Sequence, residues 1–482
     1  MHFPIGKARP PAIIWGVNPH ESERVVLPEI SAIKARAGKL IVIDPRLIPL
    51  AKEADIYTAI RPGTDAALAL GLLNVIIEEQ LYDKDFVEKW TVGFEQLAQH
   101  VKQYALDRVA EITWIPANRI RAISRTYTQS KPANIYQGVA ADHSINGFQA
   151  HRAIVMLMTI TGNLDGPGGN VWTTKGPPFA NLRLPDRVSL GEGIGSEFPI
   201  FNRFSLERQA LCVPDAILSH TPYPIMAMIA HGTEPMREWP NTKKVEAALR
   251  KLELLVVIDL FLTDTAKLAH VVLPAASFLE KQWKETEELA QYLLGPTDIT
   301  FEQLKENPNG VFYSKWEPKR HLREGFNTPS GRPELYSELL RQYGYDPLLV
   351  FVEPAESPIS RPDLAQTYPL ILVTGPKTRF YTHSRFRDLT YLRGFAPWAT
   401  VEINSETARG LGVGQCDMVS VESPRGKIRV RAAVTEDIHP KVVSIQNGWG
   451  GRANVNLLVD DSARDPVSGY PSFKASLCKI YR

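Results

Sequence analysis

AIIWGVNPHESERVVLPEISAIKARAGKLIVIDPR, residues 12–46, is the stretch that decides the fold. A short apolar run, Ala12 to Trp15, turns at Gly16-Val17-Asn18-Pro19 and leads into apolar residues at helical spacing from Val25 to Ala37. Gly38 stands where a helix C-cap belongs, and KLIVID then ends in Asp44-Pro45-Arg46. A strand, a helix and a second strand in that order predict parallel strands joined by a right-handed crossover, the unit of a nucleotide-binding sheet. No helix or strand precedes Ala12, so the chain reads as starting inside a larger unit.

The pattern extends outward from there. RPGTDAALALGLLNVIIEEQL (61–81) predicts a long helix with Thr64 or Asp65 as N-cap, followed by further helical patterns from Phe86 to Thr128. KPANIYQGVA (131–140) reads as a buried strand entering a polar loop. A helix from about Gly147 to Thr161 runs into the Gly-rich loop GNLDGPGGN (162–170). Residues 171–220 read as irregular. IMAMIAHGTEP (225–235) and LELLVVIDLFLTDTAKLAHVVLPAA (252–276) resume strand–loop–helix alternation, and 285–353 reads as a polar surface excursion and linker. After Thr367 the period changes to alternation, in PLILVTG, ATVEIN, DMVSVES, KIRVRAAV and KVVSIQ, with a hairpin signal at Ser423–Gly426 and one short helix, SETARGLGV. The expected architecture is α/β: a Rossmann-like domain over 1–140, a second α/β domain with a Pro-rich linker over 141–366, and a small β-barrel of about six strands over 367–482.

Composition narrows the function. Among 482 residues, 55 Lys+Arg against 53 Asp+Glu leave a net charge of +2, which gives no reason to expect nucleic acid or an anionic membrane surface as partner. Cys212, Cys416 and Cys478 are far apart, with no C-x-x-C, so neither a disulfide scaffold nor a zinc or iron–sulfur motif is present. No apolar run reaches the roughly 18 residues of a membrane span, and the first residues lack a secretory pattern, so the expectation is a cytoplasmic chain as written. G-x-S-x-G, Walker A, H-E-x-x-H and a full G-x-G-x-x-G are all missing.

Ligands of open α/β sheets sit beyond the carboxyl ends of strands, which singles out the loops Gly16–Glu21, Asp44–Arg46, Arg61–Asp65 and Asp259–Thr265. Asp44 and Asp65 can accept from a ribose diol or from guanine N1 and N2 donors; equally, each can serve as a turn or helix cap. His143 and His383 are loop histidines. Lys377, Arg379, Arg385 and Arg387 are either a solvated cluster or an anion site.

Together IIWGVNPHES, KLIVIDPR, ADIYTAIRPGTDAALALGLLNVIIEEQLYDKDFV, GVAADHSINGFQAHRAI and TGNLDGPGGN resemble, in order and spacing, the molybdopterin oxidoreductase family, the dimethyl sulfoxide reductase superfamily. VVIDLFLTDTAKLAHVVLPAASFLEK and FNTPSGRPELYS are similar to the later part of its pterin-binding core, and the segment from WATVEIN to SGYPSFK to its C-terminal dinucleotide-binding domain. The last segments look most like the acetylene hydratase and polysulfide or thiosulfate reductase branch.

The resemblance implies a bis-molybdopterin guanine dinucleotide carrying molybdenum or tungsten, used for two-electron, oxygen-atom or sulfur-atom transfer on a small-molecule substrate. It implies that Gly16, Asn18, Glu21, Asp44, Arg46, Gly63 and Asp65 touch one dinucleotide, that Gly138, His143 and Asn146 lie near a pterin, and that Asp259, Thr263 and Thr265 bind the second nucleotide. In the barrel it implies pterin contacts from Thr374, Gly375, Arg379, His383 and Ser384, closed by Asn456, Phe473 and Lys474. His231-Gly232-Thr233-Glu234-Pro235 departs from the Gly-x-Asn-Pro pattern usual at the second nucleotide loop.

The family's cysteine cluster for a [4Fe–4S] centre and its metal-ligating residue match nothing here. The expectation is therefore a C-terminal portion, or a split subunit, that needs a missing N-terminal segment or partner chain. An iron–sulfur electron-transfer subunit is a further expected partner, with no direct membrane span, and a full-length parent could be exported. The alternatives are a non-redox hydratase like acetylene hydratase and a non-catalytic cofactor-binding subunit. A nicotinamide dehydrogenase is disfavoured, because Gly16-Val17-Asn18-Pro19 lacks the second and third fingerprint glycines.

Overall fold

The structure, a computed structural model, describes residues 11–129, 131–171, 179, 193–205, 207–277, 283–308, 310–311, 317–376 and 378–482. Its first sheet is built by β1 (Ala12–Trp15), α1 (Leu27–Ala35), β2 (Leu40–Ile43), β3 (Ile56–Thr58), α2 (Asp65–Glu78), β4 (Asn134–Gln137) and α3 (Gly147–Ile160). The strands run parallel in the order β3-β2-β1-β4, with Trp15 in register with both Ile43 and Gln137. Alternate residues feed two cores: Ile13, Trp15, Ile41 and Ile43 pack under α2 and α3, whereas Ala12, Ile14, Leu40 and Val42 pack under α1. Burial on both faces explains why β1 and β2 read as unbroken apolar runs.

Helix α1 ends one residue earlier than its glycine suggested. Ala37, at φ 58°, is the left-handed residue; its N–H donates to Lys34 O (2.9 Å) and the Gly38 N–H donates to Ile33 O (3.0 Å). That is a Schellman closure in which Gly38 is the residue after the left-handed one. At α2, Thr64 holds the N-cap position but its Oγ1 donates back to Arg61 O (2.7 Å), so it caps nothing, and Asp65 is the first helical residue.

A second sheet is formed by β5 (Ala227–His231), α4 (Thr242–Lys251), β6 (Leu254–Asp259) and β7 (Val271–Pro274), parallel in the order β5-β6-β7. The alternating C-terminal runs close into a six-stranded barrel: β8 (Leu370–Thr374), β9 (Thr400–Asn404), β10 (Met418–Ser423), β11 (Gly426–Thr435), β12 (Val442–Ile445) and β13 (Ser476–Tyr481). The expected hairpin pairs Ser423 with Gly426. The chain is thus mixed α/β with parallel sheets and a closed barrel, as its periodicities predict.

Two stretches differ from expectation. Residues 285–353 are more than a surface excursion: they include helices Phe301–Glu306, His321–Glu324 and Glu338–Gln342, and Leu335 and Leu349 are buried in the same core as Ile41. These isolated leucines among polar residues carry no period to read. Within 171–220, read as irregular, Pro199–Ser205 and Val213–Ser219 are helical. Among the described residues no helix is long and apolar enough to cross a membrane.

Candidate functional site

The carboxyl ends of β1, β2 and β4 face the barrel, and the space between is a cleft of about 160 Å³. Past Asn18, Glu21 and Arg46 it opens into a wider hollow of about 490 Å³. From the sheet side the cleft is lined by Gly16, Asn18 and Glu21 after β1, Asp44 and Arg46 after β2, Gly63 and Asp65 before α2, and Gly138 and His143 after β4. The barrel contributes Gly375, His383 and Lys474. Twelve residues chosen from separate segments therefore meet around one cleft.

Local chemistry explains the convergence. A Cβ on Gly138 would lie 2.5 Å from Gly16 O, so only glycine lets the loops after β1 and β4 come this close. Gly63 turns at φ 82°, and the turn is held from behind by Arg61, which is 1% exposed and grips Glu353 through both terminal nitrogens (2.6 and 2.8 Å). Ion pairs between sheet loops and barrel flank the opening: Arg46 Nη2 to Glu402 Oε1 at 2.7 Å, and Arg379 Nη2 to Glu21 Oε1 at 3.4 Å, with the Arg379 N–H also donating to Glu21 Oε2 (2.7 Å).

Two acids face this cleft with little access to water. Asp44, 9% exposed, accepts the Arg46 N–H (2.9 Å); burial pushes its carboxyl up to about 6 despite the opposing charges of Arg46 and Lys474. Asp65 accepts from Trp15 Nε1 (2.8 Å), and burial raises its carboxyl too. Asn18 Oδ1 in the cleft, and Glu402 Oε2 and Ser444 Oγ at the hollow, are buried acceptors without a protein partner. Such groups cost about 1–3 kcal/mol each unless something donates to them, so the wall can accept hydrogen bonds from water or from a donor-bearing ligand.

Other singled-out residues brace the walls. Thr374 Oγ1 donates to Phe473 O (3.0 Å), and the Phe473 N–H donates to His143 O (3.1 Å). Asn146 spends its amide on Val352 N–H and O (2.8 and 2.7 Å), Ser384 donates to Glu238 (2.6 Å), and Asn456 donates to Arg237 O (2.8 Å). Asp259, Thr263 and Thr265 lie at the second sheet, outside the cleft. Asp259 accepts the Phe261 N–H, Thr263 Oγ1 accepts the Ala266 N–H, and Thr265 is fully buried against Glu234. Of the cationic cluster, Arg387 is buried under Trp449 and Tyr381 (4.4 and 4.5 Å) and donates to His383 O and Asn447 O, and Lys377 lies outside the described residues. Sequence reasoning missed Glu402 and Ser444; a single acid or hydroxyl within an apolar strand carries no signal that it faces a hollow shared with a distant sheet.

Over residues 12–287 the sequence matches the molybdopterin oxidoreductase family, and over 370–477 the molybdopterin dinucleotide binding domain. It is 30% identical to acetylene hydratase of Syntrophotalea acetylenica, across 94% of this chain and 75% of that protein. It is 28% identical to the assimilatory nitrate reductase catalytic subunit of Bacillus subtilis (strain 168), across 97% and 74%. The solved structure of acetylene hydratase from Pelobacter acetylenicus matches this fold with a TM-score of 0.85 at 27% identity, covering 98% of this chain and 78% of that one.

Proposed function

The chain belongs to the molybdopterin oxidoreductase family, and from that premise we propose that the cleft between first sheet and barrel receives the guanosine end of a molybdopterin guanine dinucleotide, one of two such dinucleotides holding molybdenum or tungsten. The observation that carries this reading is the pair of water-poor carboxylates, Asp44 and Asp65, at the carboxyl edge of a parallel sheet. Guanine presents two adjacent donors, N1–H and N2–H, which one carboxylate accepts together; the unpartnered Asn18 Oδ1 supplies a further acceptor for a donor-rich ligand. Gly16 and Gly63 keep the loops close to the ligand without side chains, and His143, His383 and Lys474 offer donors to its anionic part.

Bound there, such a cofactor supplies two-electron or oxygen- and sulfur-atom transfer to a small-molecule substrate, or water activation if the chemistry is that of a hydratase. The protein's share is to bind, orient and keep water away. We also propose that the metal's protein ligand and any [4Fe–4S] centre come from polypeptide other than the described residues, a further segment or a partner chain. Among the described residues no three metal-ligating side chains gather, and the Cys212 thiol is pushed up to about 12 by burial.

Asp65→Asn tests the assignment. The amide oxygen still accepts from Trp15, but the side chain no longer accepts both guanine donors. With about 1.5–3 kcal/mol at stake per charge-assisted bond, the cleft's affinity for guanine nucleotide should fall about tenfold or more, read as less nucleotide released by acid from the purified holoprotein, while the cofactor-free melting temperature stays near the parent's. Equal nucleotide retention by the variant would make Asp65 a structural partner of Trp15 alone.

A further inference from the structure

A cavity of about 540 Å³ lies between α3, the Gly-rich loop after it and the segment 320–335, and none of its lining residues lines the dinucleotide cleft. Its body is apolar, formed by Phe148, Val155 and Met156 of α3 and by Leu164, Phe326 and Leu335 opposite. Its size is that of a pocket for a small organic molecule.

Charge accounting gives the cavity its chemistry. His151 is paired with Asp142 (2.5 Å), Arg320 with Glu324 (3.3 Å), and His321 with Asp165 (3.4 Å). Glu334, half-buried in the lining, accepts the Ser330 N–H (3.1 Å). Arg152 differs. Its Nη1 donates to Gln149 Oε1 (3.0 Å) and Leu348 O (3.4 Å), its Nη2 to Pro347 O (2.9 Å), and every one of these partners is neutral. Burial pulls this guanidinium down to about 10, which reports how poorly water compensates it. Its hydrogen-bond partners are neutral, and Asp346 attracts it without an ion-pair contact among the described residues, so this half-buried cation in the wall of an apolar cavity can still take a directly bonded anion. The opposite wall is rigidly placed: Asp165 holds φ 54°, its Oδ2 accepts both the backbone N–H of His321 (3.2 Å) and the ring, and His321 stacks on Phe326 (5.1 Å).

We propose that this cavity binds a small monocarboxylic acid with an aromatic or branched apolar body, its carboxylate on the Arg152 guanidinium and its body against Phe148, Met156, Phe326 and Leu335. The carboxylate gives Arg152 a directly hydrogen-bonded anion, and the body replaces water along the apolar wall.

Calorimetric titration of the full chain with phenylacetate and with the neutral benzyl alcohol, each followed on parent, Arg152→Gln and Val155→Phe proteins, tests this. Gln keeps a donor for the Pro347 and Leu348 carbonyls while removing the charge, and Phe at 155 fills the cavity while leaving the Arg152 charge in place. Phenylacetate should bind the parent at least about tenfold more tightly than benzyl alcohol, lose that advantage in Arg152→Gln, and fail to bind Val155→Phe, with the released guanine nucleotide unchanged in Val155→Phe. Absence of saturable phenylacetate binding to the parent, equal affinity for acid and alcohol, or undiminished binding to Val155→Phe would each overturn the proposal.

Discussion

The two parallel sheets share a plan and differ in what covers them. Both link neighbouring parallel strands through a helix, α1 or α4, and both end a strand in an aspartate, Asp44 after β2 and Asp259 at the end of β6. In the first sheet every residue of β1 and β2 is buried, one face under α1 and the other under α2 and α3. In the second, Ala230, Leu255 and Val257 pack against α4, but Ile229 is 66% exposed and all of β7 is open to solvent. Parallel sheets normally carry cover on both faces, because each backbone ladder and its apolar side chains need it. The difference also separates the acids: only the covered sheet, with a barrel across its strand ends, creates a water-poor cleft. A strand-end aspartate is shut off from water by what lies over it, not by its place in the motif.

The comparison breaks most readily at matched apolar positions. Ile41→Ala, fully buried in β2, should cost about 2–5 kcal/mol in urea unfolding, whereas Val272→Ala, 38% exposed in β7, should stay within about 0.5 kcal/mol. A loss at Val272 as large as that at Ile41 would mean that the open face is covered in solution and that the two sheets are alike after all.

The aspartates give the next largest effect, with opposite signs for folding and for binding. The Asp44 carboxyl titrates near 6 in the folded chain against an ordinary 3.8, so between those values the folded state holds more protons than the unfolded one. The contribution of Asp44 to stability is therefore greatest at the acid end and falls as pH rises from about 4 to about 6, by at most roughly 3 kcal/mol. Asp44→Asn should abolish this fall in cofactor-free protein and raise stability at pH 7, while releasing less guanine nucleotide from holoprotein. Asp259→Asn should leave the pH dependence of the cofactor-free protein unchanged. Urea midpoints from pH 4 to 7 for both variants check this, and a fall that persists in Asp44→Asn would assign it to another group.

What could be read in advance follows the same division. The strands, the long helix at 65–78 and the barrel were legible because burial imposes a period, and the twelve cleft residues because glycines, an Asn-Pro turn and strand-end acids cluster in short ordered segments. What escaped was long-range and aperiodic. Leu335 and Leu349 reach the first core from a polar stretch, Glu402 meets Arg46 across the sheet–barrel gap, and Arg387 is buried by cation–π stacking that its charge disguised. The exposure of β7 was equally hidden, since VVLP reads the same whether its face is covered or bare.

The smallest effect concerns the two crossover helices. Helix α4 begins with the Asn241 side chain accepting the Lys244 N–H (3.4 Å), whereas α1 has no side-chain cap at its start and closes with alanine in the left-handed position. Its Cβ strains that conformation, which costs an L-residue about 1–2 kcal/mol, part of which glycine returns as unfolded-chain entropy. Ala37→Gly should therefore stabilise the chain by about 0.5–1 kcal/mol, raising the urea midpoint with the slope unchanged, and leave nucleotide retention alone. Glycine at 38 does not supply this benefit, because the strained φ belongs to residue 37. If Ala37→Gly instead destabilises the chain, the residue is not left-handed in solution, α1 closes differently, and the second sheet's helix loses its advantage as the better-capped of the two.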